Sequence, residues 1–254
     1  MPKTTPTVDP LLPGYKFSFD SGGAAFCAIV LVESEGRRIV VDTGHAGRRG
    51  HLQAALRKRG LTPEDIDLVF MTHVHWDHVQ NFDMFGEAEM LVHPAERAYV
   101  KNPHPNDFGT PRWTSAAIET ATIQEVSEGD ELAAGVRVIE LPGHSAGTMG
   151  LMVETEAGIA AVVGDAVGTA ENAKLGQADV VFWSPTEADD SISKVVAASD
   201  LIYPGHDRPF RLDGDEIDYL EPYSLGAFGI DPEAAGVTFR PLERTVFIMQ
   251  GANP

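Results

Sequence analysis

Three of the nine histidines fall within six positions, in the run Thr72-His73-Val74-His75-Trp76-Asp77-His78, and an aspartate stands between the last two. Side chains alternate across a strand, so an extended approach puts His73 and His75 on one face. A turn after them brings Asp77 and His78 to the same place. One short loop then offers three imidazoles and a carboxylate, a donor set that suits zinc or another first-row metal.

Three more candidates lie further along, each directly after a glycine that lets the backbone turn sharply. His144 sits in Leu141-Pro142-Gly143-His144-Ser145, Asp165 ends Ala160-Ala161-Val162-Val163-Gly164, and His206 follows Tyr203-Pro204-Gly205. A single Gly-His after a strand is ordinarily a loop histidine. Three such sites in one chain, each at the end of a strand-like run and following the histidine run, are not ordinary.

The elements that must position these residues can be read around them. Ala25 to Val32 reads as a strand, Gly36-Arg37 as a turn, and Arg38 to Val41 as a second strand of a hairpin ending at Asp42-Thr43-Gly44. His51 to Arg59 has helical spacing, with Leu52, Ala55 and Leu56 on one face and Gly60 as its stop. Thr62-Pro63-Glu64-Asp65 opens a short helical turn. Leu68 to Thr72 is a buried strand that delivers the histidine run. Ala88 to Val92 reads as a strand and Pro94 to Val100 as a helix. Residues 101–116 hold three prolines and a glycine and are expected to be irregular, as loops that line sites often are. Val136 to Leu141, Gly150 to Glu154 and Ile159 to Val163 follow as strands, Thr186 to Ala198 as a helix capped by Thr186, and Leu201 to Tyr203 as a strand. Asp213 to Tyr223 is acidic. Thr238-Phe239-Arg240 and Thr245 to Met249 read as strands or edges. The mixture of strands and helices argues for an α/β layered fold in one domain spanning 1–254, with residues 1–22 an extended lead-in and 211–254 an extension packed on the core.

Composition bounds the function. The chain has 254 residues, 43% hydrophobic and 22% charged, enough for a substantial core. Its formal net charge of −19 repels phosphate backbones, so nucleic acid is not the expected partner. The cluster Arg48, Arg49, Arg57, Lys58 and Arg59 reads as a solvated helix face. A single cysteine, Cys27, excludes an intrachain disulfide. The N-terminal stretch Met1 to Pro13 shows no leader-like apolar run, and no run of about 18 apolar residues suggests a membrane span. The expected location is the cytoplasm and the expected partner a small molecule. The C-terminal stretch either closes a pocket or forms a homodimer contact.

Val41-Asp42-Thr43-Gly44, the run from Thr72 to His78, Pro142-Gly143-His144, Gly164-Asp165 and Pro204-Gly205-His206, in that order, resemble the motifs of the metallo-β-lactamase superfamily of hydrolases over roughly residues 25–210. The resemblance implies an αββα sandwich of two mixed sheets flanked by helices, with metals at one edge. It implies His73, His75 and His144 on a first ion, Asp77, His78 and His206 on a second, Asp165 bridging both, and Asp42 supporting ligands from behind. Two divalent ions are implied, zinc first, with manganese or iron as alternatives and occupancy by one ion left open. The implied activity is attack by activated water on a small ester, with Asp165 holding the centre together and Asp77 assisting proton transfer to the leaving group. Gly164 to Asn172 and Gly205-His206-Asp207 resemble the lactonase branch, so a lactone is the first substrate expected. That branch carries a tyrosine shortly after the bridging aspartate, where this chain has Val167, Gly168 and Thr169. The alternatives are glyoxalase II-like thioesterases and iron-dependent sulfur dioxygenases, which show Gly-Gly after the Asp-His pair where this chain has Val79-Gln80-Asn81. Trp76, His104, Phe108, Trp113 and Phe182 are the pocket candidates. His45, His51 and His93 match no ligand position and are read as structural or surface residues.

Overall fold

The computed structural model describes residues 5–19, 22–226, 229, 231, 233–236, 238 and 244–253. The first half holds strands β1 (Thr7–Leu12), β2 (Tyr15–Phe19), β3 (Gly22–Phe26), β4 (Ile29–Ser34), β5 (Arg37–Val41), β6 (Leu68–Phe70), β7 (Glu89–Val92) and β8 (Ile123–Glu125). Helices α1 (Arg49–Lys58), α2 (Trp76–Val79), α3 (Pro94–Tyr99) and α4 (Thr114–Ile118) lie between them. The second half holds β9 (Glu131–Ala133), β10 (Val136–Glu140), β11 (Met149–Thr155), β12 (Gly158–Gly164), β13 (Val180–Val181), β14 (Leu201–Pro204), β15 (Phe210–Asp213), β16 (Glu216–Tyr219) and β17 (Phe247–Ile248). Its helices are α5 (Ala170–Leu175) and α6 (Pro185–Ala198).

Two large sheets form, ordered β1-β4-β5-β6-β7-β8 and β16-β15-β14-β12-β11-β10-β9, beside the two-stranded pairs β2-β3 and β13-β17. Both are mixed. β5 to β8 run parallel beyond an antiparallel edge, and β12 pairs parallel with β14 in an otherwise antiparallel sheet. The alternation of side chains builds the layers. On β4, Val30 and Val32 join Val41, Phe70, Val138, Leu151 and Val162 between the sheets. Their neighbours Ile29 and Leu31 face the other way, onto Leu52, Leu56 and Ile118 from the helices. On β12, Ala160 and Val162 face inward while Ala161 and Val163 pack beneath Ala170, Ile192 and Val195. The result is the four-layer αββα sandwich expected of the sequence.

Several local expectations are corrected. Residues 7–12 are not an unpaired lead-in but the edge strand of the first sheet, antiparallel to β4, with an irregularity between Pro10 and Leu12. Prolines are tolerated there because an edge strand leaves one side unpaired. The strand read over 25–32 is broken at Cys27-Ala28, where the Ala28 amide leaves the sheet and donates to the Gly205 carbonyl (2.6 Å). Irregular chain ends at Trp113, since 114–118 is helical. The last long helix starts at Pro185 under a Ser184 cap, not under Thr186. The acidic stretch after 211 is the β15–β16 hairpin, which continues the second sheet. Of the C-terminal expectations, Thr238 is irregular, Phe239 and Arg240 lie outside the described residues, and the Thr245 to Met249 strand is reduced to β17 beside β13. Among the described residues no helix is long and apolar enough to cross a membrane.

Candidate metal centre

Strands β5, β6, β10, β12 and β14 all deliver residues at their carboxyl ends to one edge of the sandwich. Asp42 follows β5, the run from Thr72 to His78 follows β6, and His144, Asp165 and His206 follow β10, β12 and β14. The two sheets are tied at this edge by the Met149 amide donating to the Thr72 carbonyl (2.9 Å). His75 precedes the short helix α2, whose first turn places Asp77 and His78. At Gly164, φ is +50°, and a side chain there would also run into Thr72. A Cβ at Gly205 would collide with the Asp165 carboxylate. Both glycines let the ligand-bearing loops approach one another.

The structure brings all seven expected donors together, with His73, His75 and His144 in one group, Asp77, His78 and His206 in another, and Asp165 against both. His144 Nε2 stands 3.0 Å from His75 Nδ1. Asp165 Oδ1 lies 3.2 Å from His206 Nε2 and 3.4 Å from His78 Nε2, while its Oδ2 lies 3.5 Å from His144 Nε2. Asp77 Oδ2 is 3.5 Å from His206 Nε2 and 3.8 Å from His78 Nε2.

The outer side of three imidazoles, those of His73, His78 and His144, is held, which orients the inner nitrogen, whereas His206 Nδ1 is buried without a hydrogen-bond partner. His78 Nδ1 donates to Asp42 Oδ2 (2.7 Å) and His144 Nδ1 to the Val180 carbonyl (2.9 Å). His73 Nδ1 donates to Thr72 Oγ1 (3.0 Å), which passes its own proton to Asp42 Oδ2 (2.8 Å). Such partners fix the tautomer and raise ligand basicity. Asp42 also accepts the Thr72 amide, and its φ of +58° is a conformation that non-glycine residues adopt at a cost of about 1–3 kcal/mol. His75 Nε2 faces Asp107 Oδ1 at 3.8 Å, an ion-pair rather than a hydrogen-bond distance.

The inner atoms are unsatisfied. His73 Nε2, His78 Nε2 and Asp165 Oδ1 are buried without a hydrogen-bond partner, a costly arrangement for polar atoms unless a cation takes their lone pairs. Burial, reinforced by the neighbouring imidazoles of His78, His75 and His144, holds His73 well below the ordinary histidine range, and burial pushes His144 down to about 4. Both rings are therefore neutral near pH 7 and free to donate lone pairs. Two nitrogens facing each other at the His75–His144 distance fit a shared positive ion equally well. This donor set fits the two metal ions the fold family implies.

The loop 101–113 covers the His75 side. The Gly109 carbonyl accepts the Trp76 amide (2.8 Å), and Asp107 organises the loop by accepting the amides of Gly109 and Thr110 and the hydroxyl of Tyr99 (2.9 Å). Of the pocket candidates, Trp76, Phe108 and Phe182 line a cavity of about 110 Å³ beside the donors. His104 and Trp113 are not part of that wall. His104 turns toward its own loop, where Nδ1 accepts the Asn106 amide, and Trp113 is half exposed. His45 and His93 cap helical turns, accepting from Gly47 and Ala95, and His51 is exposed. The basic cluster is partly structural, since Arg48 holds the carbonyls of Cys27 and Pro13 and Arg59 pairs with Asp9.

Sequence reading missed four residues here. Asp107 lay in a stretch too irregular to place. Lys16 and Asp179 pair at 2.9 Å across the cavity mouth from positions 163 apart. Buried Glu96 accepts the Val74 amide, the Ser145 hydroxyl (2.6 Å) and the Gly147 amide (2.7 Å), stapling the loop after β6 to the loop after β10. No local pattern marks it.

A four-layer sandwich carrying buried histidines and aspartates at the carboxyl ends of its strands defines a metal-dependent hydrolase scaffold. The family model described as the metallo-beta-lactamase superfamily matches residues 22–212, and the chain belongs to that superfamily. It is 31% identical over 221 residues to metallo-beta-lactamase domain-containing protein 1 of Xenopus laevis, covering 84% of each chain. It is 26% identical over 165 residues to an N-acyl homoserine lactonase of Bacillus cereus, covering 64% of this chain and 61% of that one. Among solved structures, an AiiA variant from B. thuringiensis with N-decanoyl-L-homoserine at its active site superposes with a TM-score of 0.61 at 20% identity, over 76% of this chain and 88% of that one.

Proposed function

We propose that this chain hydrolyses a small ester, with a lactone the first candidate, at a centre of two divalent ions, zinc before manganese or iron. The observation that carries the reading is the convergence of seven donors, with the inner atoms of His73, His78 and Asp165 buried and unsatisfied, beside a hydrocarbon-walled cavity. His73, His75 and His144 would hold one ion and Asp77, His78 and His206 the other, with Asp165 placed against both groups. Bound there, the ions supply an activated water and polarise the ester carbonyl.

The chain's own residues do the rest. Asp42, Thr72 and the Val180 carbonyl keep three imidazoles aimed inward. Asp77 presents Oδ2 toward His206 and the cavity, where it can pass a proton to the departing alcohol. Trp76, Phe108 and Phe182 exclude bulk water and hold hydrocarbon next to the reacting carbonyl. The names of the B. cereus relative and of the AiiA ligand favour a lactone. No tyrosine lines this cavity among the described residues. Thr169, in the Val167 to Thr169 stretch where the lactonase branch carries its tyrosine, donates its hydroxyl to the Asn172 side chain (2.9 Å).

The test is turnover of γ-butyrolactone, short-chain acyl homoserine lactones and nitrophenyl esters by protein loaded separately with zinc, manganese and iron. Ester turnover abolished by chelation and restored by metal is expected. An iron-containing sample that consumes oxygen with glutathione persulfide and leaves every ester intact would overturn the reading.

A further inference from the structure

The cavity beside the donors is the smaller of two that meet at this edge. Its volume is about 110 Å³ and its inner wall is hydrocarbon, from Ala166, Ala178, Val180, Phe182 and Ile192. The second is about 420 Å³ and is walled by Tyr15, Tyr219, Tyr223, Glu171, Asp207 and Arg244. Lys16, Thr169, Asn172, Asp179 and His206 line both. His75, Asp77, His144 and Asp165 line only the first, so a molecule that reaches the donors and extends past His206 enters the second.

The charges are arranged along that path. Lys16 Nζ is held by Asp179 Oδ2 at 2.9 Å on the seam, with the two side chains 27% and 13% exposed. The second wall sets the carboxylates of Glu171, Asp179 and Asp207 against Lys16 and Arg244. Lys16 is spent on Asp179, and Arg244 is exposed. Asp207 accepts the Tyr219 hydroxyl (3.0 Å) and the Ala170 amide (3.1 Å) on one oxygen, with Arg208 Nε at an ion-pair distance of 3.9 Å from the other. Three carboxylates against two cations line the second cavity, so an entering carboxylate meets more like charge than opposite, whereas an ammonium or a neutral hydrogen-bonding group meets acceptors.

We propose that the substrate is a two-armed ester, its short hydrocarbon arm in the first cavity and a polar, uncharged or cationic arm in the second, with the Lys16–Asp179 pair setting the preference for charge. The inference rests on the ester-hydrolase reading and narrows it to open-chain esters, since the acyl and alcohol portions of a small lactone share one ring. It places the acyl group beside Phe182 and the alcohol portion beyond His206, so that the departing oxygen faces Asp77.

The test uses butyryl esters of choline, ethylene glycol, glycolate and hexanol with metal-loaded enzyme. The choline and glycol esters are expected to exceed the glycolate and hexyl esters in kcat/KM by about tenfold. Asp179→Asn frees Lys16 and is expected to raise the glycolate-to-choline ratio several-fold, while Lys16→Met lowers it. A ratio unmoved by both variants, or a hexyl ester used as well as the glycol ester, overturns the proposal. Calorimetric binding of the matching butyramides separates the two readings. If no ester turns over yet the cationic amide binds more tightly than N-butyrylglycine, the hydrolytic reading falls and the cavity's preference stands. Equal binding with no turnover removes both.

Discussion

At the scale of single residues, the centre is a problem of aiming. The inner nitrogens of His73, His78 and His144 point at the cluster because something grips the opposite side of each ring, and Asp42 alone grips two, one directly and one through Thr72. Asp42→Ala should therefore weaken metal binding about 10–100-fold while every direct donor remains, read by competition with a chromophoric chelator. Unchanged affinity would mean the rings need no such support. Asp165→Ala is a different kind of loss, because the carboxylate touches both groups of histidines. Metal content by elemental analysis and ester turnover should fall together, and turnover with full metal would remove the bridging role. The direct donors were legible in the sequence because each sits in a short motif, Gly-His, Gly-Asp or the histidine run. Their supports were less so. Asp42 came with its motif, whereas Asp107 and Glu96 act through contacts made only when distant loops meet.

At the scale of elements, the loops matter more than the strands. Glu96 on α3 fastens two ligand loops by accepting from three donors, and it is almost wholly buried. Glu96→Ala leaves those donors unpaired and should cost about 3 kcal/mol in urea unfolding; a cost under about 0.5 kcal/mol, typical of surface sites, would contradict the staple. Gly205→Ala drives a methyl group into Asp165 and should lower metal content with the circular dichroism spectrum preserved. The long strands with clear alternation, such as β4, β10 and β12, could be read from residue pattern alone. β8, β9 and β13 could not, since two or three residues carry no periodicity and are defined by their partners, and β17 was read only as the longer 245–249 segment. The β1 edge was hidden by its prolines. Helix α5 carried a readable signal that went unused, a capping box of Thr169 with Asn172 and a stop at Gly176 with φ +63°.

At the scale of the whole molecule, the sandwich exists to hold loops from both sheets at one edge, so the metals should also hold the sheets. Ligand present at about a thousand times its dissociation constant adds about 4 kcal/mol to stability, roughly a 10 °C rise in melting temperature for a chain of this size. Scanning calorimetry with and without chelator should show it, and equal melting temperatures would contradict coupling of metal to fold. Net charge of −19 acts over the same scale. It is expected to keep single-stranded RNA from binding even near 50 mM salt, and binding that weakens steeply as salt rises would contradict that. The layer order was legible because two-residue alternation predicts two-faced sheets. Which cavity receives which part of a substrate was not, since both are built from segments that meet only in the folded chain.

The central claim is a two-metal ester hydrolase, and one titration tests it most directly. Chelator-stripped protein is titrated with zinc while bound metal and lactone or nitrophenyl ester turnover are recorded on the same samples. Turnover that is absent at zero metal and reaches its plateau at two equivalents per chain is the predicted result. Turnover in the metal-free protein, or a plateau at a single equivalent with a second never bound, would contradict it.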